Sequence, residues 1–543
     1  MLMTLSGMIV DVVGGTMFPG TLHIEGGRIT RVEKGGRAGG PYILPGLIDA
    51  HVHIESSMLL PSEFARLAVV HGTTGSVSDP HEIANVLGVE GVRFMIDNGR
   101  KVPFRFCFGA PSCVPATAFE TAGASLGLAE VEELLALDEV KYLSEMMNFP
   151  GVLHADPEVM AKLGAAARAG KPVDGHAPGL RAEGAARYAA AGISTDHECF
   201  DLDEAREKIH HGMKVLIREG SAARNFDTLL PLLAESPEKV MFCSDDKHPD
   251  DLVAGHLDIL VRRALAAGYE PIPVLRAVTL NPIRHYGMEA GLLQEGDMAD
   301  FIIVDDLDTF RVRQTWIGGQ LVAEDGRSLI AGVQESAPNK FLARMPRAEE
   351  LRVAEVPGAL RVLRAFDGQL ITESCTMTPR VEQGEVVCDP GRDLLKLVVL
   401  NRYAEALPAL GFITGFGLKR GALASTVAHD SHNIICVGTN DTDILRAISL
   451  LIQCKGGIVA VDGNQEVLLP LPVAGIMSDR DGYTVARDYE RLDAQAKALG
   501  SGLRSPFMTL SFMALLVIPS LKLSDQGIFD GDTFRFTTLF KSL

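Results

Sequence analysis

The chain has no cysteine pair at the spacing of a metal finger. Its eight cysteines, at positions 107, 113, 199, 243, 375, 388, 436 and 454, include no CxxC, which excludes a zinc ribbon and gives no disulfide framework. Basic residues are in deficit: 51 Lys and Arg against 70 Asp and Glu leave a formal charge of −19. That is the wrong sign for a phosphate backbone, so no nucleic-acid partner is expected. Long apolar runs are missing too. The most apolar late stretch, FMALLVIP at 512–519, falls far short of the roughly 20 residues of a membrane span. The opening MLMTLSGMIVDVVGG lacks a basic segment, an apolar core and a small-residue cleavage site. A cytoplasmic protein without membrane attachment is expected. No internal repeat or low-complexity segment stands out, and no GxGxxG follows an early strand, which argues against a doubly wound dinucleotide fold. What is present is 47% hydrophobic and 22% charged, a well-packed globular composition. A length of 543 residues gives room for two or three domains.

Residues 1–45 read as short strands with glycine turns, HIEGGRITRV being a hairpin around Gly26 and Gly27. A related texture returns in GDMADFIIVDDL and FRVRQTWIGGQLVAEDG, so 1–45 and 290–335 are expected to complete one small β-sandwich. Between them, at 46–289, strand-like segments alternate with helix-like ones. The strand candidates are 43–53, 73–79, 104–111, 140–147, 172–177, 193–198, 214–220 and 240–245; helical stretches include 61–71, 81–99, 157–169 and 251–267. Eight such units predict a (β/α)8 barrel in an α/β protein. Beyond Pro338, Pro346 and Pro357 a separate C-terminal α+β domain is expected over 340–543.

The strongest local signal is PGLIDAHVHIESS, where His51 and His53 stand two apart on a strand. Period-2 geometry points both rings the same way, into the mouth of the barrel, and neutral imidazole is the commonest metal ligand. HxH alone is a common pair. However, Glu145, His176, His197 and Asp245 fall at the predicted ends of four other strands. Structural residues have no reason to coincide there, and a metal site does.

This layout resembles the amidohydrolase superfamily over residues 1–335. The resemblance implies that His51 and His53 hold one metal with Asp245, and that His176 and His197 hold a second. Many two-metal members bridge the ions with a carboxylated lysine on strand four. Here the matching position is Glu145, whose two oxygens can serve the same purpose. More closely, HVHIESSM (51–58), DPHEIANVLG (79–88), SEMMNFPGV (144–152), DGHAPGL (174–180), IREGSAARN (217–225), SDDKHPDDL (244–252), VAHDSHNI (427–434) and LPLPVAGIMS (469–478) resemble the bacterial and archaeal adenine deaminase family. These blocks are distributed over nearly the whole length.

The resemblance implies hydrolytic deamination of adenine to hypoxanthine and ammonia. Two divalent ions sharing one water lower its pKa toward neutrality, and Asp245 is placed to pass its proton to the leaving amine. The proton donor to N1 is open. Asp79, His81 and Glu82 either begin a helix or touch substrate, and Glu82 and Glu219 are the further acid–base candidates. Arg218 and Ser221 are candidates for the purine edge. Histidines with carboxylates suit manganese, iron or zinc; the family favours manganese or iron. The chain lacks PCxxC, which excludes the zinc site of cytidine-deaminase type. In VAHDSHNI, His429, Asp430 and His432 are either polar loop residues or part of an additional site at the barrel mouth. A homo-oligomer is expected. The competing readings are an amidohydrolase acting on a cyclic amide or related purine, and a scaffold that has lost its metals. Filled ligand positions argue against the scaffold.

Overall fold

The computed structural model describes residues 2–36 and 39–541, and all eight expected barrel strands are among them. They are β1 (Leu47–Val52), β2 (Thr73–Ser78), β3 (Arg105–Ala110), β4 (Val140–Met146), β5 (Val173–Gly175), β6 (Thr195–Asp196), β7 (Lys214–Arg218) and β8 (Val240–Cys243). β1 to β5 pair in order as one parallel sheet, and β6 to β8 as another. Two seams close the ring: Val173 bridges to Ile193, and Val52 to Asp245. At the second seam the Asp245 N–H donates to the His51 carbonyl at 2.9 Å. β1 and β2 are buried at every position, as parallel strands covered on both faces must be.

Helices follow each strand. The one at Pro157–Ala169 shows why its segment folds as expected: Asp156 caps the N–H groups of Glu158 and Val159, Pro157 opens the first turn, and Gly170 at φ 65 ends it. Two expected helices are each split. The 81–99 stretch forms His81–Leu87 and Val89–Gly99, because Gly88 at φ 65, ψ −145 leaves helical space. The 251–267 stretch forms Pro249–Ala254 and Leu257–Ala266.

The flanking strands from both ends of the barrel share one eight-stranded sheet. At its centre Tyr42–Pro45 pairs antiparallel with Phe301–Val304 and parallel with Leu2–Asp11. It then runs directly into β1. The later part of the chain builds a nine-stranded mixed sheet between residues 359 and 541. Helix Asp441–Cys454 packs on that sheet through Ile444, Ala447, Ile448 and Leu451, one face at helical spacing. This part also reaches the barrel mouth, where Ser478 N–H donates to the Met58 carbonyl at 2.8 Å. No helix among the described residues is long and apolar enough to cross a membrane.

Candidate functional site

The ends of five barrel strands put six side chains in one buried knot. His51 and His53 leave β1 with their Nε2 atoms 3.1 Å apart. Asp245, immediately after β8, brings Oδ1 to 3.3 Å from His53 Nε2 and 3.7 Å from His51 Nε2. From β4, Glu145 spans the cluster: Oε2 lies 3.0 Å from His176 Nδ1 and 3.1 Å from His197 Nε2, and Oε1 lies 3.6 Å from His53 Nε2. Each of these residues is buried.

These are nitrogen and carboxylate donors converging at ligand-to-ligand spacing. His51, His53 and Asp245 form one group whose atoms lie within 4.8 Å of each other; His51, Glu145 and His197 form another. Burial, with His197 and His53 beside it, lowers His51 well below the usual imidazole range, so the ring is neutral and its lone pair available. Burial opposes charge on Glu145, but His176 and His197 hold it well below the usual carboxylate range. His51 Nδ1 and His176 Nε2 have no hydrogen-bond partner among the described residues. A divalent metal site accounts for this donor set in atom type and convergence.

Above the knot the pocket is walled by His81, Glu82, Arg218, Glu198, Asp246, His429 and Asp430 on its polar sides, and by Met147, Leu370, Phe512 and Leu515 on its apolar ones. Arg218 pairs with both oxygens of Glu198 and donates from Nη1 to Asp245 Oδ2 at 2.6 Å. Burial opposes charge on Asp245, yet Arg218 and His53 hold its carboxyl well below the usual range. Glu82 accepts from His429 Nδ1 through one oxygen and from His432 Nε2 through the other. Burial opposes charge there too, and His429, His432 and His81 overcome it.

Most of the expected residues meet here; His51 lies in the knot beneath the pocket, His432 stands behind Glu82, and three others do not reach the pocket wall. Glu219 is the outward neighbour of Arg218, and period 2 turns it away to pair with Arg263 at 2.6 Å. Ser221 donates to Asp251 and accepts from the His248 N–H at 2.9 Å. Asp79 sits behind His81, accepting its backbone N–H at 3.1 Å and lying 3.3 Å from its Nδ1. That is the helix-starting role, and it also orients the ring. Glu198, Asp246 and the apolar wall are unexpected from the sequence. Glu198 and Asp246 each follow a residue already singled out, His197 and Asp245, and adjacency was their only signal. Of the apolar wall, Met147 directly follows β4, whereas Leu370, Phe512 and Leu515 lie more than 100 positions from the barrel strands that they cover and carry no local signal.

The chain is similar to known proteins over nearly its whole length. Residues 42–322 match the amidohydrolase family, and residues 369–535 match the adenine deaminase C-terminal domain. An adenine deaminase of Salinibacter ruber is 55% identical over 540 residues, covering 99% of both chains. One of Methanosarcina mazei is 51% identical over 547 residues, covering 98% of this chain and 99% of its own. One of Methanothermobacter thermautotrophicus is 47% identical over 541 residues, covering 99% of this chain and all of its own. The resemblance in the motifs is borne out at full length, and the chain belongs to the adenine deaminase family of amidohydrolases.

Proposed function

We propose that this protein hydrolyses adenine to hypoxanthine and ammonia, with two divalent ions held by the buried knot. One observation carries the reading: a six-donor cluster of metal-ligand type lies under a small polar pocket, in a chain whose relatives of the same length are adenine deaminases. His51, His53 and Asp245 would hold one ion, His176 and His197 the other, with Glu145 between them. Manganese or ferrous iron suits the set, and zinc is the alternative. When bound, the ions supply a water that is nucleophilic at neutral pH.

The chain's own residues do the rest. Hydrolysis forms a C6–O bond, breaks the C6–N bond and moves a proton onto the departing amine. Asp245 is the carboxylate nearest to both β1 histidines and serves as that proton carrier. Arg218 holds its second oxygen so that the first faces the ligands. His81 meets the substrate, aligned by Asp79 behind it. Phe512 and Leu515 cover the ring and keep bulk water away from the ions. We further read the chain as three units, 1–45 with 290–335 as a small β-sandwich, 46–289 as the barrel and 340–543 as an α+β domain. We read it as a cytoplasmic homo-oligomer, with exposed Leu342 and Met345 available for self-association.

The test is an ultraviolet assay of adenine consumption on manganese-loaded protein, with ammonia measured in parallel. Stoichiometric hypoxanthine and ammonia are expected, abolished by chelation and restored by metal. Metal-loaded protein that leaves adenine intact would overturn the reading.

A further inference from the structure

Two side chains of the 427–433 loop end in the pocket with polar atoms that no group of the described residues satisfies. His429 and Asp430 are each 3% exposed and line the pocket. His429 Nε2 and Asp430 Oδ2 have no hydrogen-bond partner among the described residues. From the barrel side, His81 Nε2 faces the same space, 3.6 Å from Asp430 Oδ1 and with no hydrogen bond of its own among the described residues. Buried polar groups are seldom left so, because an unmet donor or acceptor bears its full desolvation cost. Several converging in one pocket point to a polar ligand.

That ligand is either a further cation, for which His81, Glu82 and Asp430 stand close enough together, or the substrate, and the hydrogen bonds favour the substrate. His432 Nδ1 accepts the Ala428 N–H at 3.2 Å, so its proton is on Nε2, which donates to Glu82. No lone pair remains on His432 for a metal. The other Glu82 oxygen takes the Nδ1–H of His429. Only Nε2 of His429 is left to face the pocket, beside the carboxylate of Asp430. The HxxH spacing is used up in gripping Glu82. What remains is one imidazole nitrogen and one carboxylate oxygen, next to the ring of Phe512, whose centroid lies 5.3 Å from that of His429.

We propose that His429 and Asp430 contact the substrate and read the edge of the adenine ring, while Glu82 is a positioning residue that fixes the His429 ring; this rests on the adenine reading above. Adenine matches the pair: its N–H groups suit the carboxylate, and its ring nitrogens suit a protonated imidazole nitrogen. The C-terminal segment then supplies substrate specificity to a barrel that supplies the metals.

The test uses full-length, metal-loaded enzyme and the variants Asp430→Asn, His429→Asn, His429→Gln and Glu82→Gln. For each, KM and kcat for adenine, metal content and Tm are measured. Loss of a hydrogen bond to a charged group predicts a KM raised about 10- to 100-fold in Asp430→Asn and His429→Asn. Metal content should be unchanged and kcat should move much less. His429→Gln places an amide where Nε2 stood, so it should retain more affinity than His429→Asn. Glu82→Gln should resemble a mild His429 variant. A purely structural role would lower Tm and the active fraction but leave the KM of the remaining enzyme alone. Unchanged KM in both Asp430→Asn and His429→Asn overturns the proposal. So does an extra metal equivalent lost in Asp430→Asn, which would make the cluster a cation site. Wild-type enzyme that fails to turn over adenine removes the functional reading itself, and this proposal with it.

Discussion

Arg218 donates from Nη1 to Oδ2 of Asp245 at 2.6 Å, and the same guanidinium is paired with Glu198. One cation therefore separates two buried carboxylates beside the metal knot. Arg218→Met removes it and leaves Glu198 and Asp245 with only the neighbouring histidines as partners, at a cost of about 3–5 kcal/mol for breaking a buried pair. Bound divalent ions restore part of the missing charge. The Tm deficit of the variant should thus be large in chelated protein and smaller after manganese is added. A deficit that is the same in both states would show that Arg218 does not act through these carboxylates.

Glu145 carries the next prediction. It touches His53, His176 and His197 at once, so it stands between both groups of ligands. Glu145→Gln keeps the shape and removes the charge, and the variant should lose metal. Glu145→Asp shortens the reach but keeps the charge, and should retain some. Elemental analysis should find close to two ions per wild-type chain. A Glu145→Gln protein with two ions would move the bridging role to another carboxylate.

The ring of strands was readable because each barrel strand is a short apolar run closed by a turn, and the polar residue ending it stands out. His51, His53, Glu145, His176, His197 and Asp245 were all visible in that way. Two kinds of feature were not. Direction after a strand end escapes the pattern: Arg218 faces the pocket while its neighbour Glu219 pairs outward with Arg263. Long-range covering escapes it as well, since Leu370, Phe512 and Leu515 reach the barrel mouth only through the tertiary fold. The partners of Glu82 escape it for the same reason. Its partners His429 and His432 lie about 350 residues away, and no local pattern reports which groups will fill its two oxygens.

Asp245→Asn tests the chemical step. If this carboxylate passes the proton to the leaving amine, kcat should fall by about 10²–10⁴, the usual worth of general acid–base catalysis. Loss of metal would produce the same fall, so metal content and adenine binding must be measured on the same sample. The informative variant keeps its ions, binds adenine and fails to turn it over. Near-normal kcat with full metal would reject Asp245 as the carrier and shift attention to His81.

Lys522 offers a prediction in pH. It is fully buried, and its Nζ donates to the carbonyls of Leu370 at 2.6 Å and Phe512 at 2.9 Å, two residues of the pocket wall. Burial alone lowers its pKa to about 7, against about 10.4 in an unfolded chain. Below pH 7 both states are protonated, and the folded protein bears the full cost of a buried charge. Between about 7 and about 10.4 the unfolded chain binds the extra proton, so stability rises with pH by up to about 1.4 kcal/mol per unit. The neutral amine can still donate both hydrogen bonds, and the wall stays pinned throughout. Lys522→Met has no such proton to bind. Relative to wild type it should therefore be at its most favourable near pH 6 and lose ground steadily to pH 9.5. Thermal unfolding of the two proteins at pH 6, 7.5 and 9.5 gives the comparison. A Tm difference that does not change with pH would mean that Lys522 stays charged in the folded protein.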